Sequence, residues 1–122
     1  MTFDKTKPAR IIIIEDEPII ALDLEDALVD AGFEIAGVAG KLEKALALIE
    51  STTFDAVIVD ANLGGVSSSP AALALAARGL PFIVLSGYSL KQQQVAFPGG
   101  HFLQKPCQPA QLIQVLTGIL LQ

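Results

Sequence analysis

Glu15, Asp16, Asp60, Ser86 and Lys105 are the residues with which this chain could do chemistry. Each follows a predicted strand: Ile11–Ile14 runs into Glu15-Asp16, Val57-Ile58-Val59 into Asp60, Pro81–Leu85 into Ser86, and His101–Gln104 into Lys105. In an open parallel sheet, ligands bind beyond the carboxyl ends of the strands, near the point where strand order switches. With order 2-1-3-4-5 the first and third strands are neighbours, so the three acids meet. Two carboxylates ~4 Å apart repel by ~4 kcal/mol at an effective dielectric of ~20. A divalent cation held by oxygens offsets that repulsion, and a small one that keeps waters and accepts phosphate oxygens is Mg²⁺. Lys105 adds a permanent positive charge. The set suits a dianionic phosphoryl group carried on a carboxylate. Asp60 is the candidate nucleophile, since carboxylates form acyl phosphates. The cation and Lys105 would neutralise the equatorial oxygens, and the Ser86 hydroxyl would donate to one of them.

The composition leaves carboxylates as the main chemical resource. There is one Cys (Cys107), one His (His101), one Tyr (Tyr88) and no Trp. An internal disulfide, a cysteine or histidine metal cluster and an aromatic base-stacking platform are thereby excluded. The net charge of −5 argues against a nucleic-acid partner, which calls for a basic face. The chain is 52% hydrophobic, enough for a proper core in one domain of 122 residues. Mean hydropathy is +0.55. Even so, the longest uncharged apolar runs, such as Ile11–Ile14 and Ala71–Ala77, fall far short of the ~20 residues of a spanning helix. The opening MTFDKTKPAR lacks the apolar core of a signal peptide. The expectation is a cytoplasmic protein with no membrane partner.

The elements that must position these residues alternate between strand and helix. Arg10–Ile14 is apolar on both faces and β-branched, which predicts a central parallel strand. Pro18 opens a helix whose apolar positions Ile20, Leu24 and Leu28 recur at helical spacing, with Gly32 as its C-terminal stop. Phe33–Ala39 is a second strand, Lys41–Ser51 a helix, and Phe54–Val59 a third strand. The loop ANLGGVSSS follows; Ser67 to Ser69 offer N-caps and Pro70–Arg78 a short alanine-rich helix. Pro81–Leu85 is a fourth strand, Ser89–Ala96 a short helix, His101–Gln104 a fifth strand and Pro109–Leu121 a last helix. Five β-α units with right-handed crossovers give a doubly wound five-stranded parallel sheet flanked by five helices. The last helix ends with the chain, so the expectation is a single domain over residues 1–122 with no output domain.

At these residues the chain resembles the receiver domain of two-component response regulators. The pieces that carry the resemblance are IIIIEDE, VIVDANLGG, FIVLSGY and QKP, in that order. It implies a flavodoxin-like fold with sheet order 2-1-3-4-5 and a phosphoacceptor at Asp60. It implies a metal site with Asp16 as direct ligand, Glu15 often acting through water, and the Asn62 backbone carbonyl completing the shell. Ser86 matches the switch Ser/Thr and Lys105 the phosphate-pairing lysine. The Lys105–Pro106 bond matches one that is typically cis. Phe102 stands where many receivers carry a switching Tyr or Phe, and its ring lacks a hydroxyl. Leu63-Gly64-Gly65 replaces the usual Pro-Gly pattern. Together with Ser86-Gly87-Tyr88, this loop is similar to a subgroup, often single-domain, with a Phe-x-x-Thr/Ser-Gly-Tyr fourth strand. That subgroup is often linked to histidine kinases of the HWE and related classes in alphaproteobacteria. Tyr88 is a candidate for part of the switching role. The implied partner is a sensor histidine kinase or a histidine phosphotransfer protein, and the output is contact with a downstream protein or action as a phosphate sink, without turnover of a substrate.

Taken singly, these residues have plainer readings. Glu15-Asp16 could cap a helix dipole for ~0.3–1 kcal/mol. Asp60 could start an Asx-turn. Serines at strand ends and surface lysines are common. The ordered set outweighs its parts. His101 reads as a surface or strand-edge residue and Cys107 as a small packed one. Gly64-Gly65 is not a nucleotide loop, because neither GxxxxGK[ST] nor GxGxxG occurs. Three rival readings meet obstacles in the sequence. A pseudo-receiver with constitutive partner binding is opposed by the occupied site positions. A metal phosphohydrolase or Toprim-type nuclease needs a second acid where Asn62 stands. A flavodoxin would meet repulsion of its phosphate from Glu15-Asp16.

Overall fold

The computed structural model describes residues 7–87 and 96–121. Its elements are β1 (Arg10–Ile14), α1 (Pro18–Asp30), β2 (Glu34–Ala39), α2 (Leu42–Ser51), β3 (Ala56–Asp60), β4 (Asn62–Leu63), β5 (Val66–Ser67), α3 (Ser69–Ala77), β6 (Phe82–Ser86), β7 (His101–Gln104) and α4 (Pro109–Leu120). Five strands form one sheet in the order β2-β1-β3-β6-β7, and every pairing within it is parallel. This is the flavodoxin-like order expected from the sequence. The expected helix over 89–96 lies outside the described residues, apart from its last position, as does Tyr88; four helices are described. The loop after β3 holds what was not expected, a two-stranded antiparallel hairpin of β4 and β5.

Alternation in the central strands separates two cores, because successive strand side chains face opposite sides of a sheet. Ile12, Ile14, Val57, Val59, Phe82 and Val84 point to one side, under Ala45 and Ile49 of α2 and Ala71, Ala72 and Leu75 of α3. Ile11, Ile13, Ile58, Ile83 and Leu85 point to the other, under Leu28 of α1 and Leu112, Leu116 and Leu120 of α4. Burial on both faces is the reason Ile11–Ile14 is apolar at every position.

Gly32 performs the stop predicted for it. At φ +94° it allows Phe33 N–H to reach Leu28 O and Gly32 N–H to reach Val29 O, which closes α1 and turns the chain into β2. The N-termini depart from expectation. Of the cap candidates Ser67 to Ser69, Ser67 accepts the Ser69 N–H at the start of α3 on its hydroxyl at 3.2 Å, but the residue immediately before α3, Ser68, makes no side-chain cap. Its hydroxyl goes instead to the carbonyl of Asp60. Boundaries move by one or two residues elsewhere, most at β3, which starts at Ala56 and takes in Asp60. No helix among the described residues is long and apolar enough to cross a membrane.

Candidate functional site

The carboxyl ends of β1, β3, β6 and β7 bring the expected residues together. One cavity of about 430 Å³ is lined by Asp16, Glu17, Asp60, Ala61, Asn62, Gly64, Ser86, Gly87 and Lys105. Glu15 lies beneath this lining, with only 3% of its surface exposed, while Asp60 and Ser86 are also buried. Asp16 is half-buried and opens onto the cavity. Each carboxylate of Glu15, Asp16 and Asp60 has an oxygen within 4.8 Å of the others.

The Asp60 carboxylate is held at both oxygens. Lys105 Nζ donates to Oδ2 at 2.5 Å. The backbone N–H of Asn62 donates to Oδ1 at 3.0 Å. Asn62 in turn accepts the Gly65 N–H on its side-chain oxygen at 2.6 Å, which closes the β4–β5 turn over the site. Gly64 passes so close to the acidic cluster that an added Cβ would lie 3.4 Å from Asp16 Oδ2, and its φ of +61° also favours glycine. Lys105 Nζ stands 3.9 Å from Glu15 Oε1. The Lys105–Pro106 bond is cis, as the resemblance implied.

The electrostatics are unbalanced. Three acidic side chains, Glu15, Asp16 and Asp60, share one ammonium, that of Lys105. Glu15 registers the excess most. Burial first, and the Asp60 charge second, push its carboxyl up to about 7, against the pull of the Glu17 N–H and Lys105. Its Oε1 is buried, and no hydrogen-bond donor among the described residues reaches it. Burial works to lower the Lys105 pKa, but the hydrogen bond and charge of Asp60, with Glu15 and Glu17 behind, outweigh it and hold the ammonium above its ordinary value. A buried acceptor without a donor, inside a ring of hard oxygens, fits a divalent cation such as Mg²⁺.

Phe102 is not part of this lining. It sits half-buried in β7, opposite Val84 of β6, and packs against the core under α2 and α3. His101 is exposed on the same edge strand, and Cys107 is half-buried beside the α4 core, both as read from the sequence. Phe82, the ring of the fourth sheet strand, stands four residues before Ser86, one more than in the subgroup pattern. Two residues escaped the sequence reading. Glu17 borders the cavity, and its neighbours Glu15-Asp16 were the only signal for it. Ser68 is fully buried and donates to Asp60 O at 2.6 Å; nothing in a run of three serines marks it out.

Comparison with known proteins agrees with this geometry. Residues 11–117 match the family described as the response regulator receiver domain. The transcriptional regulatory protein PdtaR of Mycobacterium tuberculosis is 36% identical over 87 residues, which is 70% of this chain and 42% of that protein. The chain thus matches less than half the length of that curated relative. Among solved structures, SdrG from Sphingomonas melonis Fr1 is 38% identical, with a TM-score of 0.77 over 93% of this chain and 97% of that one. A response regulator receiver protein from Sinorhizobium medicae WSM419 is 26% identical, with a TM-score of 0.83 over 95% of this chain and 97% of that one. With the sheet order, the acid cluster and the lysine in place, the chain belongs to the receiver-domain family of response regulators.

Proposed function

We propose that this domain accepts a phosphoryl group on Asp60 from the phosphohistidine of a sensor histidine kinase or a histidine phosphotransfer protein. The observation that carries the reading is Asp60 itself: a buried carboxylate bonded to Lys105 and ringed by Glu15 and Asp16 at the mouth of one cavity. Asp16, Asp60 and the Asn62 carbonyl, with Glu15 beneath them, would hold Mg²⁺. When bound, that ion supplies charge neutralisation and orientation for the oxygens of the incoming group. An Asp60 carboxylate oxygen forms the new bond to phosphorus as the phosphorus–nitrogen bond of the donor breaks, and the imidazole nitrogen keeps the electron pair. Lys105 then pairs with a phosphoryl oxygen, and the Ser86 hydroxyl donates to another. Contacts that exist only after transfer bias β7 and α4 toward a second arrangement. The output is contact with a downstream protein or withdrawal of phosphoryl groups from a kinase, and no substrate is turned over.

The docking side is α1 with the loop after β7. Ile19 is 77% exposed and Leu22 56% exposed on α1. Beside them a groove of about 460 Å³ is lined by Ile20, Leu24, Leu85, Lys105, Pro106 and Cys107. An apolar surface of this kind next to a reactive site supports a protein partner. The test is mass spectrometry of wild-type protein and Asp60→Asn after incubation with Mg²⁺ and acetyl phosphate. A gain of ~80 Da in the wild type alone is expected. A gain in both would move the chemistry to another residue, and a gain in neither would leave a partner-binding domain without phosphorylation.

A further inference from the structure

We propose that Ser68 is a positioning residue for the phosphoacceptor: its buried hydroxyl holds the Asp60–Ala61 peptide unit and so aims the Asp60 carboxylate. The inference rests on the reading of Asp60 given above.

The pairing of β1 with β3 ends at Ile14 and Val59, one residue short of Asp60. On the β6 side the sheet continues, and Ala61 N–H donates to Leu85 O at 2.9 Å. In a trans peptide the C=O and the next N–H point in opposite directions. The Asp60 carbonyl therefore faces away from β6, past the end of the β1 ladder. Ser68 meets it there. The side chain is 0% exposed, its Oγ donates to Asp60 O at 2.6 Å, and its own N–H donates to Ala61 O at 3.1 Å. One peptide unit is thus gripped from both sides, by Leu85 at the N–H and by Ser68 at the C=O.

The grip matters because the carboxylate hangs from the Cα at the start of that unit. Asn62 N–H and Lys105 hold the carboxylate oxygens, from positions beyond the ends of β3 and β7. Ser68, opposite Leu85, fixes the backbone from which Asp60 projects. The next residue, Ser69, donates its hydroxyl to Ala96 O. The first turn of α3 is therefore tied at one end to the phosphoacceptor and at the other to the segment that leads into β7. This explains why the Ser68 hydroxyl, at the cap position of α3, is not used as a cap, where it would otherwise be worth ~1 kcal/mol of helix stability.

The test compares Ser68→Ala, Ser68→Thr and Ser68→Val. Thr and Val have nearly the same shape, and only Thr keeps the donor. Phosphorylation is followed by intact mass with acetyl phosphate and saturating Mg²⁺, at a temperature where each variant is folded by circular dichroism. In this assay an Asp60 oxygen bonds to phosphorus as the bond from phosphorus to the acetyl oxygen breaks, and acetate leaves with the electron pair. Misplacing reacting atoms by ~1 Å can cost ~10²-fold in rate. The expected result is a maximal rate roughly tenfold lower or more for Ser68→Ala and Ser68→Val, and near the wild type for Ser68→Thr. A second readout needs no metal: amide hydrogen exchange at Ala61 should accelerate in the Ala and Val variants and stay slow in the Thr variant. Wild-type rates in Ser68→Ala, or Thr and Val slowed alike with equal exchange at Ala61, would overturn the proposal. Should Ser68→Ala not fold, the Thr and Val pair decides; should Val also fail, slow exchange and wild-type rate in Thr support it and a slowed Thr variant refutes it. A wild type that gains no mass on Asp60 would instead refute the reading on which the proposal rests.

Discussion

Replacing Glu15 by Gln should stabilise the magnesium-free protein at pH 8 and leave it unchanged below pH 4.5. The folded environment raises the Glu15 carboxyl from 4.5 to about 7, through burial and the Asp60 charge. Between those values the folded protein keeps a proton that the unfolded chain has released. Stability therefore falls as pH rises through this window, and the loss is complete above the folded pKa. At roughly 1.4 kcal/mol per pH unit, the ionised Glu15 destabilises the fold by on the order of 3 kcal/mol at pH 8. Gln carries no charge, and its amide adds donors beside the Asp60 carboxylate, where Glu15 Oε1 has none. The assay is urea unfolding of both proteins from pH 4 to 8.5 with EDTA present. The wild type should lose stability between pH 4.5 and 7 relative to Glu15→Gln, and Mg²⁺ should stabilise the wild type more than the variant. Parallel curves across the whole range would refute the reasoning, because they would mean that the fold does not penalise the Glu15 charge.

Gly100→Ala tests how tightly β7 is delivered to the sheet. A Cβ there would sit 2.7 Å from Phe82 Cε2 and 3.1 Å from Val84 Cγ2; chemical denaturation should show a loss of ~1–3 kcal/mol. Replacing Ile19 and Leu22 together by Ser should leave stability within about 0.5 kcal/mol, since both are exposed. The same variant should accept phosphoryl groups from acetyl phosphate at the wild-type rate. Transfer from a phosphohistidine protein should fall roughly tenfold or more, as truncating anchor residues does at other interfaces. Equal loss with both donors would place the effect in the site rather than on the docking face.

The chain carries its architecture openly. Four consecutive isoleucines can be satisfied only where both faces of a strand are covered, so Ile11–Ile14 declares a central parallel strand and, with it, helices on both sides of the sheet. Because polar residues end these strands, the reactive set could be named from their order: Glu15, Asp16, Asp60, Ser86 and Lys105 all reach one edge. Their local pattern does not contain the distances between them. That Glu15 is buried beneath the cavity while Asp16 opens onto it depends on how the chain leaves β1, and two adjacent acids look alike in a sequence. The β4–β5 hairpin is too short to show any period, and it is held by the side-chain oxygen of Asn62. Ser68 shows the same limit most plainly. Serines before a proline read as helix caps because capping is a local preference, whereas the Asp60 carbonyl that claims Ser68 stands eight residues away and becomes available only where the β1 ladder stops. Periodicity and residue type determine what each segment is and which groups it can offer; which of those groups meet, and which is left without a partner, is decided by packing, since only the assembled sheet sets their separations and keeps water away.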